Sequence, residues 1–312
     1  MSARTVWLLG PQHHEPFLGK LFPTLGIEPE GPLAVVTAGW QEREGEDEEL
    51  DKHLGGRSVD LELYSRADRV FRFDPEFTQA HREMQRQLRE IEGLYQMRLS
   101  YARDAVLRLL RESGDARLLR PERDHAMRQL RELDSWHLKR IVEVRSEFEE
   151  RWKPLERESV AEQREEVAKI LRAAAALVVA GGHVAVLLNR LRLFGVRELA
   201  EGKDVVAWSA GAMVVTERVV LFHDHPPQGP GNAEVMEQGL GLCKRLVALP
   251  DGQKRLDLDD THRVGSFAER FAPDACIVMG PGDSMTWDGE RWSSSGARRL
   301  CPDGSVEQVT SW

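Results

Sequence analysis

A serine stands where a strand gives way to a helix in Ala207-Trp208-Ser209-Ala210-Gly211-Ala212. On a tight turn of this kind the serine's neighbours must be small, because larger side chains would collide with the adjoining strand or with the turn itself. Ala210, Gly211 and Ala212 meet that requirement. Such a turn lifts the hydroxyl to the carboxyl edge of a sheet and aims the Ala210 amide at the place where an oxyanion would develop. Ser209 is therefore a candidate nucleophile for acyl transfer. An alcohol is almost fully protonated at neutral pH, so the chemistry also requires a base within hydrogen-bond reach.

The elements that must hold this serine follow from the periodicity on either side of it. Ala174 to Val179 reads as a buried strand running into Gly181-Gly182-His183, and Val184 to Leu193 as the next helix. Thr5 to Leu9, Leu33 to Ala38, Val59 to Tyr64, Leu246 to Leu249 and Ala275 to Met279 are further β-type runs. Strands that alternate with helices predict a three-layer α/β domain with a mostly parallel sheet. From Glu76 the period becomes helical, with Met84, Leu88, Ile91, Tyr95, Ala102, Ala105 and Leu109 spaced by threes and fours. Ser113-Gly114-Asp115 and Pro121 are expected to break that helix, and Met127, Leu130, Ile141, Val144, Phe148 and Leu155 mark a second stripe. The expected organisation is an α/β domain over 1–76 and 166–312, interrupted by a long antiparallel helical hairpin over 77–165. Charged residues crowd both helices and leave only a narrow apolar seam. The hairpin is accordingly expected to be a solvated arm or one that joins two copies into a homo-oligomer, covering Tyr95, Trp136, Phe148 and Trp152.

The Gly181-Gly182 turn, the Trp208-Ser209-Ala210-Gly211-Ala212 elbow and Gly239-Leu240-Gly241-Leu242 resemble the dipeptidase E and cyanophycinase family of serine peptidases. That family has a class I glutamine amidotransferase-like fold. The likeness covers the order of elements in roughly 1–75 and 166–290, and the hairpin lies outside it. It implies that Ser209 is the nucleophile, that a histidine is the general base, and that an acidic residue orients the histidine. The Gly181-Gly182 turn and the amides of Gly182 and Ala210 are implied to form the oxyanion hole, with His183 standing where the family has asparagine. The family histidine usually follows a proline soon after Gly-Leu-Gly-Leu, where this chain reads Leu249-Pro250-Asp251-Gly252. The base must then come from elsewhere. His223, His225 and His262 are the candidates, and Asp224 lies about where the resemblance places the acid. The implied activity is cleavage of a small peptide, such as an aspartyl one, or of a related amide, without a cofactor.

Two other classes of function use the same residues. His13, His14, His183, His223 and His225 all follow apolar strands and could meet at one sheet edge around a divalent ion. No HExxH or CxxC spacing supports such a centre, so no metal is expected. Alternatively, Asp251 in place of the base would leave a catalytically degenerate pocket, and the protein would act as a ligand-binding or oligomerisation scaffold through its hairpin.

Composition narrows the remaining choices. The 312 residues carry 43 Lys and Arg against 52 Asp and Glu, a net charge of −9, with 41% apolar residues. Without a dominant basic block there is no cationic face for a phosphate backbone, so nucleic acid is not an expected partner. The longest apolar run, from Ala173, is about half the length of some 20 residues a membrane-spanning helix needs. With no signal-peptide pattern at the N-terminus, a cytoplasmic location is expected. Cys243, Cys276 and Cys301 are too few and too scattered for a disulfide framework.

Overall fold

The computed structural model describes residues 4–12, 16–27, 31–223 and 232–312. The chain opens with β1 (Val6–Leu9), the short helix α1 (Leu18–Leu21), β2 (Leu33–Val36), α2 (Glu48–His53), β3 (Ser58–Asp60) and α3 (Leu63–Phe73). Two long helices follow, α4 (Pro75–Arg111) and α5 (Ala116–Trp152). Strand–helix alternation then resumes with α6 (Glu158–Ala173), β4 (Ala176–Val179), α7 (Val184–Leu193), α8 (Val196–Leu199), β5 (Asp204–Trp208) and α9 (Ala210–Val214). The remainder holds β6 (Arg218–Leu221), β7 (Glu234–Gln238), β8 (Leu246–Pro250), α10 (Gly252–Arg255), α11 (Thr261–Phe271) and β9 (Ala275–Met279). It closes with β10 (Ser284–Trp287), β11 (Trp292–Ser295), β12 (Arg298–Leu300) and β13 (Val306–Gln308).

The protein is a mixed α/β structure around a seven-stranded sheet of order β11-β10-β1-β5-β4-β2-β3. β1, β5, β4, β2 and β3 run parallel, and β10 and β11 add an antiparallel edge. Ala176-Leu177-Val178-Val179 contains no polar residue because both faces of β4 are covered. Its residues alternate between two cores. Leu177 and Val179 join Val6, Leu8, Val36, Val205 and Ala207 on the face packed by α3, α6, α7 and α9. Ala176 and Val178 join Trp7, Leu9, Leu33, Val35, Val206 and Trp208 on the face closed by Leu18, Phe22, Leu50 and Leu54. A second sheet, β13-β12-β9-β8, carries the C-terminal part, with β8 and β9 parallel. The α/β class with a mostly parallel sheet and a long helical pair is as expected from the alternation of runs.

The long helices differ from expectation in three respects. α4 begins at Pro75, where proline loses no hydrogen bond, and Asp74 caps it by accepting the Phe77 amide at 3.1 Å. Pro121 does not end a helix but lies inside α5, which starts at the Asp115 cap, so only the bond to the Arg117 carbonyl is lost. Ala105, placed on the seam by spacing, is exposed, whereas Met84, Leu88 and Ile141 pack together as expected.

The hairpin lies along its own chain. Tyr95, expected on a partner-facing side, is buried beside Asp134, His137 and Arg270. Arg270, from α11, grips both oxygens of Asp134 at 2.6 and 2.7 Å. It also donates to the Tyr95 hydroxyl at 2.9 Å and the Ala233 carbonyl at 2.8 Å. The Tyr95 hydroxyl donates to Asp134 at 2.8 Å and accepts the Val235 amide at 3.1 Å, while its ring stacks on His137 at 4.0 Å. A buried charge pair survives removal from water only when both partners' hydrogen-bonding groups are engaged, and here they are. Further along the hairpin, Arg145 pairs with Glu237 of β7 at 2.5 Å, and Arg111 pairs with Asp260 at the start of α11 at 2.6 Å.

Candidate active site

The register of the parallel strands places the serine. Val36, Val179, Ala207 and Leu8 form one row across β2, β4, β5 and β1. Two residues beyond Val179 and Ala207 come Gly181 and Ser209, side by side at the carboxyl edge. A Cβ on Gly181 would stand 2.8 Å from Ser209 Cβ and 3.5 Å from its Oγ. Gly211 is equally constrained, since its Cβ would meet the Val179 carbonyl oxygen at 2.3 Å. The small residues around Ser209 are thus required by the close approach of α9 to the end of β4.

Ser209 has φ +51° and ψ −123°, a conformation that an L-residue adopts only under constraint. The constraint comes from both sides. Trp208 is locked into one core and Ala207 into the other. Beyond α9, Leu240 and Leu242 donate their amides to the Val214 and Val215 carbonyls at 2.7 and 2.8 Å, so the Gly239-Leu240-Gly241-Leu242 segment closes the helix from below. Ser209 is half-buried.

The nearest backbone belongs to Ala210 and to the Gly181-Gly182 turn. Ala210, as the first helical residue, has no carbonyl four residues back within the helix to bond. Its nitrogen would lie 3.6 Å from a Gly181 Cβ, on the same side as the Ser209 hydroxyl. Gly182 has φ +114°, and a Cβ there would strike the backbone of Gly39 at 2.4 Å. The loop after β2 is therefore pressed onto the Gly181-Gly182 turn, and the His183 amide donates to the Gly39 carbonyl at 2.7 Å. His183 itself caps α7, its Nδ1 accepting the Val186 amide at 3.4 Å.

Among the described residues the Ser209 hydroxyl has no hydrogen-bond partner. His223 follows β6, packs on Phe222 and shares its Nε2 with an Arg255 guanidinium nitrogen at 3.2 Å. As a guanidinium can only donate, this Nε2 accepts. Arg255 ends α10, the turn that starts at Asp251, so His223 lies beside the segment where the family resemblance puts its base. His262 is exposed near the start of α11, next to the Asp260–Arg111 ion pair. Asp224 and His225, and also His13 and His14, lie outside the described residues. Asp251 is left-handed (φ +59°), its amide donates to the Met279 carbonyl at 2.7 Å, and its Oδ1 is 3.4 Å from Lys254 Nζ, a contact of charge without hydrogen-bond alignment. Among the described residues no three His, Cys, Asp or Glu side chains gather as metal ligands would.

Other polar groups near this edge were not singled out by spacing. Thr37, directly after β2, bonds the Glu44 carbonyl at 3.1 Å and the Asp60 carboxyl. Its hydroxyl has a single proton, so if that proton goes to Glu44, Asp60 must donate to Thr37 as a neutral acid. Burial pushes the Asp60 carboxyl up to about 7, which fits. A cavity of about 530 Å³ lies elsewhere, between the hairpin and α7, with His81, Arg145, Arg192 and Glu237 on its wall. Glu237 holds both arginines there.

Fold and site together define an α/β protein with a serine on a constrained strand-to-helix elbow beside the Gly181-Gly182 turn. No protein-family model matches the chain, and no curated protein matches it in sequence. Among solved structures it is similar to a peptidase from an acI-B1 Actinobacterium, at 15% identity and a TM-score of 0.48, over 100% of this chain and 97% of that one. It is also similar to a protein assigned as a peptidase E from Listeria monocytogenes EGD-e, at 11% identity and a TM-score of 0.44, over 94% and 98% of the two chains. At such values neither likeness bears on catalytic residues or substrate. No helix among the described residues is long and apolar enough to cross a membrane.

Proposed function

We propose that the protein is a serine hydrolase that cleaves a small peptide or related amide through Ser209. The observation that carries this reading is the Ser209 backbone, at φ +51° and ψ −123°, held beside the Gly181-Gly182 turn. A glycine would adopt that conformation freely, so a serine kept there against its preference presents its hydroxyl for use. In this reading Ser209 Oγ attacks the carbonyl carbon, and the amides of Ala210 and Gly182 receive the oxyanion. The proton of Ser209 passes to an imidazole and then to the leaving amine as the C–N bond breaks, and water, giving its proton to the same imidazole, then releases the acyl group from Ser209 Oγ. His223 is the favoured base, because it joins the end of β6 to the Asp251 turn. To serve, its ring must exchange Arg255 for the serine. His225 and His262 remain alternative bases, and Asp224 the orienting acid. A substrate with aspartate next to the scissile bond is the form that the family resemblance suggests.

A second reading has its own observation: among the described residues no imidazole hydrogen-bonds Ser209, and Asp251 occupies the expected base position. The pocket would then bind without cleaving, and the hairpin would be the working part. Leu94, Met97 and Tyr101, 61%, 62% and 77% exposed on one face of α4, would be the surface that joins two copies.

Labelling with a fluorophosphonate, followed by intact mass, separates the two. Stoichiometric labelling of the wild type that is lost in Ser209→Ala is the expected result. No labelling of the wild type would leave a site without a working nucleophile and favour the scaffold.

A further inference from the structure

Ser209 is not alone in its backbone conformation. Gln41, in the 3-10 turn Ala38–Arg43 that follows β2, has φ +61° and ψ −124°. The two residues agree within 10° in φ and 1° in ψ. Glu62, Lys153 and Asp251 also have positive φ, but with ψ of 40°, 62° and 24° they occupy the ordinary left-handed region. That region costs a side chain comparatively little. The conformation of Gln41 and Ser209 belongs to the first central residue of a tight II′-type turn, where glycine is the residue without strain.

The surroundings of Gln41 hold it there. Trp40 donates its amide to the Thr37 carbonyl at 2.7 Å and packs, partly buried, against the core beneath. Glu44 donates its amide to the Gln41 carbonyl at 2.9 Å, and its carboxylate accepts the amides of Tyr64 and Ser65 at 2.8 Å each, fastening the turn to the start of α3. The turn also borders the serine. Gly39, two residues before Gln41, touches Gly181 and Gly182 so closely that a Cβ on it would stand 2.5 Å from the Gly181 oxygen. Gly181 in turn abuts Ser209. The Gln41 side chain is half-buried, and among the described residues its carboxamide has no hydrogen-bond partner.

We propose that Gln41 is a substrate-binding residue of the Ser209 site, its carboxamide pairing with a peptide group of the substrate on the far side of the Gly181-Gly182 turn. This rests on the hydrolase reading and narrows its substrate to one with a second amide beyond the scissile bond. A carboxamide carries one acceptor and two donors, the complement of a peptide's N–H and C=O. The elbow keeps a serine in a glycine's conformation for the sake of its hydroxyl, and the β2 turn keeps a glutamine in the same conformation for the sake of its amide.

The test compares Gln41→Gly and Gln41→Ala with the wild type. Three readouts are taken: melting temperature, the rate of Ser209 labelling by a fluorophosphonate that has no peptide group, and the cleavage of dipeptidyl against aminoacyl 4-nitroanilides. Gln41→Gly relieves the turn, and its melting temperature is expected to rise by about 2 to 4 °C. Its kcat/KM on the dipeptidyl substrates is expected to fall about tenfold through KM, the worth of one hydrogen bond. On the aminoacyl substrates and in labelling the loss is expected to be far smaller. Gln41→Ala keeps the strain, loses the amide, and is expected to show the same tenfold loss without the thermal gain. Labelled wild type with an unaltered dipeptidyl to aminoacyl ratio in both variants overturns the assignment of Gln41 and leaves the hydrolase reading standing. An unlabelled wild type overturns both.

Discussion

The edge that holds Ser209 and the junction that holds Arg270 solve opposite problems. At the junction the charged groups and the hydroxyl are engaged: Arg270 donates to Asp134, Tyr95 and Ala233, and Tyr95 accepts the Val235 amide and donates to Asp134. At the edge the Ser209 hydroxyl and the Gln41 carboxamide lack partners within the described protein, and both sit on strained backbone. Side chains supply the order at the junction, and their absence supplies it at the edge. There, Gly39, Gly181, Gly182 and Gly211 let three loops touch backbone to backbone. A region that only stays folded can satisfy its groups, whereas on the hydrolase reading proposed above the edge keeps some of its groups for a substrate.

The contrast is sharpest where a methyl group is added at the edge. Gly182→Ala meets the Gly39 backbone at 2.4 Å and must also adopt φ +114°. Overpacking and backbone strain each cost about 1 to 3 kcal/mol, so a loss of about 4 kcal/mol is expected in urea unfolding. The Gly182 amide moves with it, and Ser209 labelling is expected to slow about a hundredfold, the scale of losing one oxyanion donor. Labelling at the wild-type rate in a folded Gly182→Ala protein would remove this amide from the site.

At the junction the damaging change is deletion of a charge. Arg270→Met strands the Asp134 carboxylate, only 3% exposed, and is expected to cost about 3 to 5 kcal/mol. Arg270→Met with Asp134→Leu removes the stranded charge and is expected to lose less than the single change. Equal losses in the two proteins would mean that the pair contributes packing alone.

These two regions also differ in how far they could be read from residue order. The elbow was legible because its requirement is local: small residues around a serine, after an apolar strand, leave few other structures. The strands were legible because β4 and β5 are buried on both faces and show as unbroken apolar runs. The junction was not, since Tyr95, Asp134 and Arg270 stand on three separate helices and nothing local says that they meet. A narrow seam on two charged helices looks the same whether its outer residues face water, a second copy or the chain's own α11. Pro121 misled because its cost is one hydrogen bond, which a 37-residue helix absorbs. Gln41 carries no local signal, as glutamine is ordinary in composition and only the backbone of its turn is unusual. The base stayed open because it depends on where the end of β6 lies relative to the Asp251 turn.

pH offers a subtler division, because His81 and Asp60 titrate in opposite senses. His81, 9% exposed on α4, is brought down to about 4 from 6.5 by burial, with the charges of Arg190 and Arg145 adding to the effect. The unfolded chain binds that proton and the native one does not, so His81 lowers stability as pH falls from 6.5 towards 4, by about 3 kcal/mol in full. Asp60 is brought up to about 7 from 3.8, chiefly by burial. Here the native state holds the proton, so stability is full below 3.8 and falls as pH rises to 7, by about 2 kcal/mol once solvent screening at a half-buried group is allowed for. These two groups together are expected to change wild-type stability by only about 1 kcal/mol between pH 4 and 6.5. Asp60→Asn is expected to gain stability with rising pH over that window, and His81→Phe to lose it, as read from urea midpoints at half-unit steps. Parallel profiles for the two variants would show that neither group is displaced.

The smallest effect is the methyl group added in the other region. Gly93 interrupts α4 at an exposed position, and a Cβ there would meet nothing within 4 Å. Nothing about its backbone requires glycine, and glycine inside a helix costs about 1 kcal/mol relative to alanine through the freedom it loses on folding. Gly93→Ala is therefore expected to stabilise the protein by about 1 kcal/mol, a rise of some 2 °C in melting temperature for a chain of this size, with Ser209 labelled at the wild-type rate. One methyl group then has opposite signs at Gly182 and Gly93. If Gly93→Ala instead destabilised, α4 would be making a close approach at Gly93, as a second copy packed against Leu94 and Met97 would do, and the hairpin would share with the serine edge the habit of using glycine to let backbones meet.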